Sequence, residues 1–150
     1  MLMREWKLAK RLPLGRALFS ASLRWFVPYT GSLGAQVLEI SPGHCRVRLK
    51  ERWRIRNHLR SVHAIALANL CEMTSGMALV CGVPDDQRAI LVEFKIQYFK
   101  KARGVLMAES DFAMPTFGPA QDFRVTVKVF NSAREHVCSA EALWKISPAK

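Results

Sequence analysis

Between residues 61 and 80 the chain is apolar on nearly every side of a helix. Val62, Ile65, Ala66, Leu70, Met73 and Met77 recur at helical spacing, and Ala64, Leu67, Leu79 and Val80 fill most of the remaining faces. A helix without a polar face has to be surrounded. The chain contains no apolar run near the ~20 residues that would cross a bilayer, so the cover has to come from elsewhere in the fold. Ser61 is the expected N-cap, and Val83-Pro84-Asp85-Asp86 ends the segment as a loop. Before the helix, residues 33–40 and 45–55 read as strands joined by a Ser41-Pro42-Gly43 turn. After it come four strands, at 89–99, 105–113, 123–130 and 137–146. Residues 12–26 read as a further helix with Leu14, Ala17, Leu18, Ala21 and Trp25 along one face. Phe19, Leu23 and Phe26 broaden that face, and Pro28 and Gly31 end the helix. The expectation is an α+β fold, an antiparallel sheet wrapped around a long central helix at about 61–80. It forms one domain over residues 1–150, with an extra N-terminal helical segment at 1–27. A chain of 150 residues is long enough for one workable core.

Charge and cysteines narrow the setting. The formal net charge of +11 implies an anionic partner, whether nucleic acid, a membrane surface or a phosphate-bearing ligand. The cysteines, Cys45, Cys71, Cys81 and Cys138, form no C-x-x-C pair and no metal-ligand spacing, and are expected to be reduced and mostly buried. The basic start is followed by a short apolar stretch broken by Ser20 and Ser22 and bounded by Arg16 and Arg24. It is read as no signal peptide, and a cytoplasmic protein is the expectation.

One pattern of cations stands apart. Arg46, Arg48, Lys50, Arg52, Arg54 and Arg56 occupy alternate positions, which in a single strand puts all six on one face. That face is either a solvated sheet surface or an anion platform. Nucleic acid is the weaker partner, because no helix-turn-helix or aromatic RNA-binding motif accompanies it. With Arg4, Lys7, Lys10, Arg11, Arg16 and Arg24, a peripheral membrane contact is a further reading.

The residues that suggest chemistry lie at the entrance to the apolar helix and within it. Asn57 is followed six residues later by His63, and Glu72 stands nine residues further on. A carboxylate in such a helix needs a reason, since an unpaired buried charge is costly. This pattern resembles the hotdog-fold thioesterase superfamily, in particular the phenylacetyl-CoA thioesterase type, whose motif is Asn, then His-Gly-Gly, then an acidic residue on the central helix. Pro28-Tyr29-Thr30-Gly31 and the stretch from Ile96 to Gly104 match the layout too, so the resemblance runs from about residue 28 to 146. It implies an acyl-CoA or acyl-carrier-protein thioester hydrolase with an apolar acyl tunnel. The site would be shared across a homodimer or tetramer, with no metal or redox cofactor and with coenzyme A entering as part of the substrate.

Under the resemblance, Ala64 and Ile65 stand where the family has two glycines, and their N–H groups become the oxyanion donors. Asn57 positions the carbonyl or the water. Glu72 acts as general base or as nucleophile. His58 serves as an anchor, and Arg60, Lys100, Lys101 and Arg103 are the cations for phosphate. Nine residues advance a helix about 13 Å and two and a half turns, so His63 and Glu72 point to nearly opposite sides. A two-fold dimer brings a helix start of one subunit to the carboxylate of the other. The rival readings are a non-catalytic acyl-CoA-binding or regulatory protein of the same fold, and a basic-surface protein recruited to membrane or nucleic acid.

Overall fold

The structure, a computed structural model, describes residues 2–149, with side chains from Glu5 onward. Met1, Lys150 and the Arg4 side chain, counted above in the domain and in the basic segment, lie outside it. The elements run α1 (Leu2–Ala9), α2 (Gly15–Phe26), α3 (Pro28–Ser32), β1 (Gln36–Ser41), β2 (His44–Lys50), a 3-10 turn (Trp53–Ile55), α4 (Ala64–Val80), β3 (Gln87–Tyr98), β4 (Val105–Asp111), β5 (Gln121–Asn131) and β6 (His136–Pro148). Six antiparallel strands form one sheet in the order β1-β2-β4-β5-β6-β3. One face of this sheet wraps α4, which touches all six strands.

Alternation in the strands explains the wrapping. Cys45, Val47 and Leu49 of β2 and Val125, Val127 and Val129 of β5 are fully buried, while Arg48, Lys50, Arg124, Thr126 and Lys128 face outward. Leu70, Cys71, Thr74, Ser75, Ala78 and Leu79 of α4 are equally inaccessible, as the apolar surround of that helix requires. β3 is different. It forms one border of the sheet, none of its residues is buried, and Ile90 and Val92 stay about half exposed. The other border, β1, is covered by α2, where the Ser20 hydroxyl accepts the Val37 N–H at 3.0 Å.

Several expectations are corrected. The helix expected at 12–26 is present as α2 but starts only at Gly15, because Pro13 is followed by Leu14 in the left-handed region at φ 65, and a separate helix, α1, precedes it. α2 ends at Phe26, just ahead of Pro28 as expected, but Pro28 also opens a short further helix, α3, where its missing N–H costs nothing. Gly31 is required there, since a Cβ would lie 2.4 Å from the Arg24 Cα. The stripe Leu14, Ala17, Leu18, Ala21, Trp25 faces solvent. The buried side of α2 is Phe19 and Leu23, with Phe19 edge-on to Trp6 at 5.2 Å between ring centroids.

The six alternating cations do not share a strand face. β2 stops at Lys50 because its partner β4 begins at Val105, and the chain then coils through the 3-10 turn. Arg46 lies 3.3 Å from carboxylate oxygens of both Glu39 and Glu109, and Arg48 bonds Gln36. Arg52 donates to the Ser32 and Leu33 carbonyls, and Arg56 pairs with Glu51 at 2.6 Å. The single strand face of six cations is therefore absent, and only Arg46, Arg48 and Lys50 share the outer face of β2. No described helix is long and apolar enough to cross a membrane. Cys45, Cys71 and Cys138 are buried free thiols and Cys81 is half-buried.

Candidate functional site

The loop from Arg56 to His63 is built around Asn57. Its side-chain carbonyl accepts the Leu59 N–H at 3.0 Å and the Ser61 N–H and hydroxyl at 3.2 Å each. An asparagine held this way shapes the turn, and only its amide N–H groups remain to meet a ligand. Arg60 sits at φ 55, with its carbonyl accepting from Arg103 Nε at 3.2 Å, and a second Arg103 nitrogen lies 3.4 Å from the Leu59 carbonyl. Arg103 thus braces the loop. Lys100 is likewise engaged with Glu135, whereas Lys101 has no acidic partner among the described residues. His58 is exposed and touches no hydrogen-bond partner among them.

The N-cap of α4 is His63, not Ser61. Its Nδ1 accepts the Ile65 N–H at 3.1 Å, its carbonyl takes the Leu67 N–H, and Ser61 is folded into the Asn57 turn instead. Of the two expected oxyanion donors, the Ile65 N–H is therefore already taken. The Ala64 N–H has no acceptor among the described residues, as is usual for the first residue of a helix. Tyr98 at the end of β3 donates its hydroxyl to the Ala64 carbonyl at 3.0 Å, tying the helix start to the sheet border. Asn57, Ser61, Ala64, Leu67, Tyr98, Phe99, Lys100 and Lys101 all border one small cleft of about 280 Å³.

Glu72 opens elsewhere, into a cleft of about 780 Å³ walled mainly by Leu23, Val27, Met73, Met77, Val80 and Trp144. Its carboxylate has neither a cation nor a hydrogen-bond donor among the described residues. Burial pushes its pKa above the usual carboxylate range. Gly76 keeps the wall thin, because a Cβ there would meet the Trp144 Cη2 at 3.2 Å and Glu72 Oε1 at 3.9 Å. The two clefts share no residue. Within one chain, then, His63 and Ala64 are not brought to Glu72, in agreement with the helical geometry.

The sequence reading overlooked Thr30, Gln87, Arg88 and Trp144, which also line the Glu72 cleft. Thr30 lies in the Pro-Tyr-Thr-Gly stretch that carried part of the resemblance, so its position was marked though its role was not. For Trp144 the alternation of β6 predicts only burial. That its indole N–H is buried without an acceptor, and that the Gln87 Oε1 is buried without a donor, becomes visible only in the fold. Ile90, Leu91 and Val92 of β3 carry no hydroxyl, and a bulge falls between Leu91 and Glu93. Among the described residues no cluster of three His, Cys, Asp or Glu side chains could hold a metal.

This architecture is the hotdog fold, and solved structures share it. A crystal structure described only as a genomics target matches with a TM-score of 0.87 at 28% identity, covering 99% of each chain. A protein of Pseudomonas aeruginosa described as a probable thioesterase matches at 0.75 with 19% identity, covering 92% of this chain and 97% of its own. A thioesterase family protein of Silicibacter pomeroyi matches at 0.72 with 16% identity, over 87% and 96% of the two chains. The chain belongs to the family described as a domain of unknown function, DUF4442, which matches residues 15–146. No curated protein matches it.

Proposed function

We propose that the chain hydrolyses acyl thioesters of coenzyme A or of an acyl carrier protein, at a site assembled from two subunits. The observation that carries this reading is Glu72, a carboxylate left without a partner at the wall of a largely apolar cleft large enough for an acyl group. Desolvation without a compensating cation has a cost, and a carboxyl with a raised pKa is what a general base working near neutrality needs.

The sheet border supplies the route to a composite site. β3 lacks a neighbour on one side and exposes Ile90, Val92 and Tyr98. Its first residues, Gln87 to Ala89, border the Glu72 cleft, and its last, Tyr98, borders the Asn57–Ala64 cleft. Antiparallel pairing of β3 with its copy about a two-fold axis sets the start of one strand beside the end of the other. Each Glu72 cleft then adjoins the helix start of the partner.

In that arrangement the acyl chain enters the apolar cleft and the thioester carbonyl approaches the free Ala64 N–H of the other subunit. Glu72 takes a proton from water as the water oxygen attacks the carbonyl carbon. Charge moves to the carbonyl oxygen, where the amide at the positive end of α4 stabilises it. Collapse of the tetrahedral species re-forms the carbonyl as the C–S bond breaks, and the leaving thiolate takes the proton from Glu72, giving the free acid and thiol and restoring the carboxylate. The Asn57 amide orients the reacting group, and Lys101 offers an unpaired charge to the coenzyme phosphates. The reaction calls for no metal or redox cofactor.

Two measurements follow. Thiol release from short, long and aromatic acyl-CoAs is expected for the wild type and is expected to collapse for Glu72→Ala with the oligomer intact. Acyl-CoA binding without release in any of these would mean a binding protein instead. Gly76→Ala should leave stability within about 1 kcal/mol of wild type, since the helix-propensity gain opposes crowding against Trp144. It should nonetheless reduce kcat/KM for bulky acyl groups more than for acetyl-CoA. Equal loss across the panel would show that Gly76 does not border the acyl path.

A further inference from the structure

The exposed stripe of α2 calls for an occupant. Leu18, Ala21 and Trp25 are spaced i, i+3 and i+7 and so share one face of α2, turned away from the Phe19–Leu23 side that packs on the sheet, and Leu14 is exposed just ahead of the helix. Leu14 is 81% exposed, Trp25 87% and Phe26 72%, and Leu8, Leu12 and Tyr29 extend the apolar surface on either side. Scattered apolar residues on a surface are ordinary, but this many large exposed ones within one short segment mark an interaction site.

The surrounding charge says what fits. Lys7, Lys10, Arg11, Arg16 and Arg24 are all exposed and none is ion-paired among the described residues. Glu5 is the only carboxylate before Glu39. A second copy docking by this face about a two-fold axis would bring both sets of cations together, which opposes self-association. An anionic bilayer satisfies both features at once, with apolar side chains among the acyl chains and cations among the headgroups. Trp25 and Tyr29 are the side chains that settle best at such a boundary.

We infer that the α1–α2 hairpin is an interfacial membrane contact, holding the protein on bilayers rich in anionic phospholipid. The same segment reaches the larger cleft from its other side, where the buried Leu23, with Val27 and Thr30 beyond the helix, lines it.

The test is sedimentation of the intact chain with vesicles of phosphatidylcholine alone, or with roughly a third phosphatidylglycerol. Wild type is expected to pellet with the anionic vesicles only, and to be released as salt rises. Trp25→Ser/Phe26→Ser should weaken that binding about tenfold, through lost apolar burial. Replacing Lys10, Arg11, Arg16 and Arg24 by glutamine should remove the preference for anionic lipid. Neither variant should change hydrolysis of a short, freely soluble acyl-CoA. Absence of pelleting at low salt overturns the inference, as does binding unaltered in the Trp25/Phe26 variant. So does a drop in oligomeric mass for that variant, which would make the face a contact between copies. Vesicle binding is read without turnover, so a failure of the hydrolase reading leaves this result standing.

Discussion

Exchange of Glu72 for glutamine is expected to lower thiol release about 10²–10⁴-fold, the usual range for a lost general base, while stabilising the fold at alkaline pH. Glutamine keeps the shape of the side chain and cannot take a proton, so the acyl cleft and α4 are undisturbed. The stability effect follows from the direction of the Glu72 pKa, raised above 4.5 by burial. Below 4.5 the carboxyl is protonated in both folded and unfolded chains and contributes no penalty. As pH rises, the unfolded chain releases its proton first, so stability falls until the folded pKa is passed and the full penalty remains above it. Glutamine does not titrate. Thermal unfolding of the two proteins should therefore coincide at about pH 4 and separate in favour of the variant at about pH 8. A variant less stable than wild type at both values would mean that Glu72 is held by a partner and is not a poised base.

The second large effect is expected from Ala64→Pro. Ala64 is the first residue of α4, where proline is tolerated because that position has no intrahelical N–H bond to lose. The preceding His63 is extended, at φ −62 and ψ 141, the conformation that a residue before proline prefers. The substitution thus removes one backbone N–H and little else. It should leave the fold and the oligomer intact and reduce kcat about 10²–10³-fold, as for loss of one oxyanion donor. Ile65→Ala makes the contrast. It trims an exposed side chain and keeps its N–H bonded to His63, and it should retain activity. Full activity in Ala64→Pro would remove Ala64 from the reaction.

Much of the fold was legible because its determinants are periodic. An apolar α4 and alternating strands dictate a sheet around a helix, and five of the six strands lie within a few residues of their expected bounds. The failures are instructive where a periodic pattern continues beyond the structure that supports it. The Arg/Lys alternation runs past Lys50 although the antiparallel partner strand starts only at Val105, and no local rule reveals where a partner's pairing stops. The stripe on α2 is genuinely helical, but periodicity identifies an apolar face without saying whether protein or something else covers it. The separation of His63 from Glu72 was legible from helical pitch alone. That Asn57 spends its carbonyl on the turn, that His63 takes the Ile65 N–H, and that Trp144 walls the cleft were not legible, because each depends on a non-local or conformational detail.

The measurement that tests the composite site most directly mixes two inactive variants. Glu72→Gln and Ala64→Pro are each purified, then dissociated and reassociated together, and thiol release is measured. In a shared site, a mixed dimer joins the intact Glu72 of one subunit to the intact Ala64 of the other, and random mixing should restore about a quarter of wild-type activity. If activity stays at the level of the separate variants while mixed dimers form, Glu72 and Ala64 do not act across a subunit interface and the account is wrong.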